Sequence, residues 1–157
     1  MEFNVEELER GLLTEPSIVL PECITTHSFS DGVYVREITM PTGAIILGAK
    51  HTTTHFNIIS KGSCILVDPD TGDTTDIVAP CTFESKAGVR KVLYIVEECV
   101  WSTIHVTNET NIDKLEEELV ELSDTYKEIV GDKFIEGGNA DERMQKLQGE
   151  SAIRCLQ

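Results

Sequence analysis

The hydrophobic period changes near Asn108, from two to three and four. From about Thr26 to Thr107, apolar and polar residues alternate in short runs broken by glycine, proline and Asx turns. Beyond Asn108, apolar residues recur every three or four positions. The first pattern is that of half-buried strands and the second that of an amphipathic helix. Val33 to Met40 is the clearest strand, with Tyr34, Arg36, Ile38 and Met40 on one face and Val33, Val35, Glu37 and Thr39 on the other. Asp31-Gly32 supplies a two-residue hairpin turn back to a short strand over Thr25 to Ser30. Phe56 to Ser60 and Ser63 to Val67 read as two strands turning at Lys61-Gly62. Asp68 to Asp73 reads as an acidic turn, and Thr74 to Val78 and Cys81 to Glu84 continue the sheet around Pro80. Arg90 to Val96 and Trp101 to Val106 read as a last hairpin joined near Glu97-Glu98-Cys99.

The ends read differently. Asn4 to Leu13 carries Val5, Leu8 and Leu12 at helical spacing, with Asn4 as its cap. Pro16 and Pro21 keep the following segment extended, as an arm. Ile112, Leu115, Leu119, Leu122, Tyr126 and Ile129 form one apolar seam that ends at Gly131. It predicts a single helix lying on the barrel or against the same helix of another subunit. Gly137-Gly138-Asn139 reads as a linker and Ala140 to Gln148 as a short helix. The expected organisation is a helix and arm over 1–25, a β-barrel over 26–107 and an acidic helical extension over 108–157.

Charge sharpens that division. The net charge is −15, with −5 in residues 1–25, −3 in 26–108 and −7 in 109–157. General binding to nucleic acid or to anionic membranes is therefore not expected. Five scattered cysteines without CxxC spacing are expected as reduced thiols. No apolar run approaches a membrane span, the N-terminus lacks a signal-like core, and an intracellular location is expected. Lys50, Lys61, Lys86, Arg90 and Lys91 cluster on the two motif segments of an otherwise acidic chain, either as ordinary loop and edge-strand cations that block sheet aggregation, the favoured reading, or as a basic rim that receives an anionic ligand.

The stretch from Gly43 to Gly62 holds His51 and His55. Three intervening threonines disfavour the helical HxxxH arrangement. The stretch resembles the first motif of the cupin family, G-x5-H-x-H-x3-E-x6-G. Gly43 and Gly62 fall on its glycines and His51 on its second histidine, with Ala49 at the first histidine and His55 at the glutamate. The second motif, P-x-G-x2-H-x3-N, matches at Gly88 and carries Lys86, Lys91 and Ile95 at its other positions. The resemblance implies a mainly β double-stranded β-helix, or jelly-roll, barrel with a central pocket, flanked here by the N-terminal arm and the C-terminal helical extension. The family's third imidazole is absent, since Lys91 stands there. Cross-strand pairing in the last hairpin brings His105 near that place. His51, His55 and His105 then form a candidate three-histidine site for one divalent metal (zinc, iron or manganese) with an open position. A barrel without metal is the other expectation.

The run ISKG…APCTFES-KAG-RK-LY…VWSTIH-TNET is also similar to small single-domain cupin-like proteins of tailed bacteriophages. That likeness implies an accessory or virion-associated structural or binding module. It would form homo-oligomers through its extensions, contact other virion proteins, and reside in the host cytoplasm or the virion. Two alternatives stand beside it. One is a small enzyme, either metal-dependent or of a sugar-nucleotide isomerase type. In the isomerase type a pocket histidine acts as base, Tyr94 as acid, and Lys91 and Arg90 hold phosphates, with Trp101 as a large pocket residue. The other is a nucleotide-binding sponge.

Overall fold

A computed structural model describes residues 4–15 and 23–130. The expected arm from Pro16, the Gly137 linker, the Ala140 helix and Cys155 lie outside the described residues. The elements are α1 (Val5–Thr14), β1 (Ile24–Ser30), β2 (Val33–Met40), β3 (Ile45–Leu47), β4 (Lys50–His51), β5 (His55–Val67), β6 (Thr74–Val78), β7 (Cys81–Ser85), β8 (Val92–Val106), α2 (Ile112–Leu119), β9 (Val120–Glu121) and α3 (Asp124–Val130). The protein is mainly β, an antiparallel barrel of jelly-roll type. Its main sheet runs β1-β2-β8-β5-β6, with β3 added to β8 and β7 to β5.

Two long strands carry the barrel, and both depart from the sequence expectation. β5 is one strand of 13 residues, not two joined at Lys61-Gly62. β8 is one strand of 15 residues, not a hairpin joined at Glu97-Glu98. The two features explain each other. The β5–β8 register shifts between Ile59 and Cys64, opposite Glu97 to Val100, so the glycine marks a β-bulge. Gly62 has φ +82°, and a Cβ there would stand 2.1 Å from the Glu98 carbonyl oxygen. Only glycine allows that approach. Lys61 Nζ reaches Glu98 at 2.6 Å and Ser63 Oγ reaches Glu97 at 3.0 Å, so the acidic pair faces partners across the ladder. Bent at the bulge, each long strand serves two neighbours along one edge and the other long strand along its second edge. β5 pairs β7 through its first half and β6 through its second.

The hairpin from Asp31 to Gly32 forms as the dipeptide requires. Ser30 pairs Val33 and Gly32 takes φ +73°. Inward positions of β2, β3, β5 and β8 meet in one core of Ile38, Met40, Ile46, Ile59, Ile95 and Trp101. Each such side chain contributes about 1.5–3 kcal/mol through its burial. The four cysteines among the described residues form no disulfide.

The C-terminal seam buries its apolar residues, but it is not one helix. It breaks at Val120-Glu121, where β9 pairs with Lys50-His51 of β4, and Ser123 then accepts from the Tyr126 amide at 3.0 Å. Leu115 and Leu119 pack on Tyr34. Tyr126 joins Leu12 and Leu13 of α1 against Leu47 and Val92 of the barrel. The seam thus covers its own barrel. Asn4 caps α1, its side-chain oxygen accepting from the amides of Glu6 and Glu7. Among the described residues, no helix is long and apolar enough to cross a membrane.

Candidate metal centre

Three strands bring the histidines together at the end of the barrel covered by α2. His51 closes β4, and its backbone is held on two sides. Its carbonyl accepts from the Gly88 amide at 2.8 Å, and the next amide, of Thr52, donates to Leu119 O at 2.9 Å. The Thr52 hydroxyl donates to Glu118 O at 2.7 Å. His55 opens β5 on its inward face, in phase with Asn57 and Ile59. His105 lies on β8 opposite Tyr34, one position beyond the Phe56–Ile104 pair, which sets it across from His55.

The three rings form a triangle with centroid separations of 4.5, 4.7 and 5.0 Å. One donor atom from each residue lies within 4.8 Å of the other two. His55 and His105 are 5% and 2% exposed. Burial is the main cause that lowers all three pKa values, to about 2 for His51 and about 4 for His105, with the neighbouring imidazoles adding to the shift of those two. The imidazoles are therefore neutral at pH 7 and carry free lone pairs. His55 Nδ1–H donates to Thr53 O at 2.9 Å, which leaves its Nε2 as an acceptor.

The residues fit a transition-metal ion. Nδ1 of His51 and Nδ1 of His105 are buried without a hydrogen-bond partner, a costly state that a ligated ion relieves. The His55–Thr53 contact is of the kind that orients a ligating imidazole. Metal–nitrogen bonds of about 2.1 Å require donors within roughly 4.2 Å of each other, so the rings would draw in slightly. A donor set of three imidazoles without a carboxylate suits zinc or iron better than manganese.

A cavity of about 60 Å³ adjoins the triad, lined by His51, His55, Arg36, Asn57, Lys91 and Trp101 among others. Trp101 Nε1 donates to Asn57 Oδ1 at 2.9 Å, and Asn57 Nδ2 donates to Ser85 Oγ at 2.7 Å. Lys91 donates to the same serine oxygen. Burial pushes the Lys91 ammonium down to about 8. Lys91 and Trp101 of the sequence-proposed pocket thus stand together, whereas Arg90 and Tyr94 stand elsewhere. Arg90 binds Glu9 with Nη1 and Nη2 at 2.9 and 2.8 Å. Tyr94 sits on the opposite face of β8 and is 45% exposed, because side chains alternate along a strand.

The sequence reading did not single out Arg36, Asn57 or Ser85. Two of these left a signal. Arg36 shares the face of Tyr34, Ile38 and Met40, an arginine in an inward register, and Asn57 is in phase with His55. Ser85 left none. The fourth histidine, His27, stays outside the triad and bonds the Tyr34 hydroxyl at 2.8 Å.

No protein-family model matches the chain, and no curated protein matches its sequence. Solved structures are similar in fold. A cupin superfamily protein from Desulfitobacterium hafniense shares 12% identity over 55% of this chain and 79% of its own, at a TM-score of 0.47. A cupin domain from Bordetella pertussis shares 20% over 58% of this chain and 99% of its own, at 0.47. An acetylacetone dioxygenase from Acinetobacter johnsonii shares 11% over 55% of this chain and 62% of its own, at 0.44. At these identities and scores, no residue's role is carried over from them.

Proposed function

We propose that the protein is a metal-dependent cupin-like barrel that holds one zinc or iron ion through His51, His55 and His105 and works on a small ligand in the adjoining cavity. The observation that carries this reading is the meeting of three neutral imidazoles, two buried and one half-buried, two of them with an orphaned buried nitrogen. A bound ion would supply Lewis-acid polarisation of a ligand oxygen. The chain's own part is positioning. The Thr53 carbonyl fixes the His55 tautomer, and the β4–β9 pairing sets the His51 backbone. The Trp101–Asn57–Ser85–Lys91 chain keeps the cavity wall rigid, and α2 covers the site from bulk water.

Elemental analysis of untagged protein, beside its His55→Ala variant, tests this. About one zinc or iron per chain is expected in the wild type, and none in the variant. Folded wild-type protein that takes up neither metal at a stoichiometric level would sink the proposal.

Self-assembly is a second proposal, supported by exposed apolar residues on the outer sheet face. Phe56, Ile58 and Val106 are 53%, 38% and 86% exposed. Sedimentation of the wild type against Phe56→Ser tests it, with a lighter species expected in the variant. The virion-associated reading is supported by the sequence likeness alone.

A further inference from the structure

Of the residues that line the cavity, Lys91 alone ends in an amine. It stands two positions before Leu93 and four before Ile95, both buried on the inward face of β8, so strand alternation directs it into the barrel. Its backbone is pinned there, because the Gly48 amide donates to the Lys91 carbonyl at 2.8 Å. Its Nζ is bonded to Ser85 Oγ, and Asn57 Nδ2 holds the same oxygen at 2.7 Å. The amine at the end of this long side chain therefore has a set position in the cavity wall.

A lysine placed this way is either a structural ammonium or a nucleophile. A structural ammonium inside a protein is held by a carboxylate. Lys91 has no carboxylate partner among the described residues, and burial alone pulls its pKa down to about 8. At pH 7 about a tenth of it is then neutral amine, against less than about one part in a thousand for an ordinary lysine. Only the neutral amine carries the lone pair that attacks a carbonyl carbon. Lys91 is half-buried rather than sealed, so a small molecule reaches it. Ile38, Met40, Ile46 and Leu93 give the cavity an apolar floor. A volume of about 60 Å³ holds about four water-sized groups. That admits a carbonyl group with one or two further carbons and excludes an aromatic ring.

We infer that Lys91 condenses with a small aldehyde in this cavity to form an imine. The Nζ lone pair attacks the carbonyl carbon, and the carbon–oxygen bond breaks as the carbon–nitrogen double bond forms. Both amine hydrogens leave on the carbonyl oxygen as water, so the step needs no oxidant or reductant. The Ser85 hydroxyl touches Nζ and is placed to relay them. The inference rests on the reading of the cavity as a ligand site and not on the bound ion.

Acetaldehyde and sodium cyanoborohydride, added to the full chain at pH 7, trap the imine as an ethyl group, and peptide mass mapping locates it. Lys91 is expected to gain the group at least about tenfold faster than Lys114, which is exposed on α2, as the difference in neutral amine requires. The preference is expected to vanish in urea-unfolded protein, because it belongs to the fold, and to vanish with benzaldehyde, because a ring does not enter. Folded wild type in which Lys91 reacts no faster than Lys114 makes it a structural ammonium and overturns the inference. The same preference for Lys91 with benzaldehyde overturns it too. Metal content is read on the same sample, so a missing ion sinks the metal reading and leaves the labelling result standing.

Discussion

Arg90 and Lys91 are neighbours with the same charge, yet they end in opposite surroundings. Arg90 turns to the helices and meets Glu9, which is 1% exposed and also accepts from the Ser123 hydroxyl at 2.8 Å. Its Nε–H donates to the Gly48 carbonyl at 3.1 Å. Every member of that cluster is matched in charge and in hydrogen bonds, and it ties α1, α3 and the barrel together. Lys91 turns to the cavity, where it donates to Ser85 beside imidazoles that are neutral. A closed polar cluster inside a protein specifies how its elements pack. An open one retains unspent donors and lone pairs, which is what a ligand or an ion uses.

The contrast breaks most sharply at Arg90. Arg90→Ala leaves the Glu9 carboxylate buried and without its charge partner, at an expected cost of about 3–5 kcal/mol in unfolding free energy. Urea denaturation reads it, and zinc stoichiometry should persist wherever the variant is folded. A loss below about 1 kcal/mol would mean that the closed cluster does not hold the helices.

The open cluster should respond to occupancy instead. Zinc at a thousandfold excess over its Kd is expected to stabilise the wild type by about 4 kcal/mol. His105→Ala is expected to remove nearly all of that gain while leaving the metal-free protein folded. A stabilisation by zinc that survives in His105→Ala would place the ion elsewhere.

Much of this geometry was legible before any coordinates. The alternation in β2 and the Asp31-Gly32 turn are strong local signals, and the structure follows them to the residue. The glycine frame from Gly43 to Gly62 located two of the histidines. The breaks at Gly62 and at Glu97-Glu98 were misleading because each feature has two physical readings. Glycine serves a bulge as well as a turn, and an acidic pair serves a paired strand edge as well as a loop. Pairing across the ladder decides, and pairing is not a local property. His105 reaches the triad along a continuous β8 rather than through a hairpin. The helical seam misled in the same way. Its burial pattern held, but Val120, β-branched and opposite His51, left the helix for a strand pair.

Protonation separates the clusters by a slope. Unfolded histidines take up protons near pH 6.5, whereas folded His105 resists until about 4 and His51 until about 2. The unfolded state binds more protons in that window, so metal-free protein loses stability as pH falls below 6.5. The loss is expected at about 1.4 kcal/mol per pH unit for each resisting histidine. His105→Leu removes one of them and should flatten the curve of unfolding free energy between pH 4.5 and 6 by about one proton. An unchanged slope would mean that His105 is accessible and ordinary in the folded state.

The smallest effect is expected where charge is exposed. Lys50 Nζ meets Glu121 at 2.9 Å beside the β4–β9 pairing, with side chains 39% and 53% exposed. Such pairs contribute under about 1 kcal/mol and weaken with salt. Glu121→Gln should therefore shift the denaturation midpoint barely at all and leave zinc affinity within about twofold, because the backbone pairing of His51 with Val120 is untouched. A tenfold fall in zinc affinity would move the control of His51 from the backbone strap to this surface pair. The cover over the open cluster would then be held by a contact that salt can loosen, and zinc affinity should fall further as ionic strength rises.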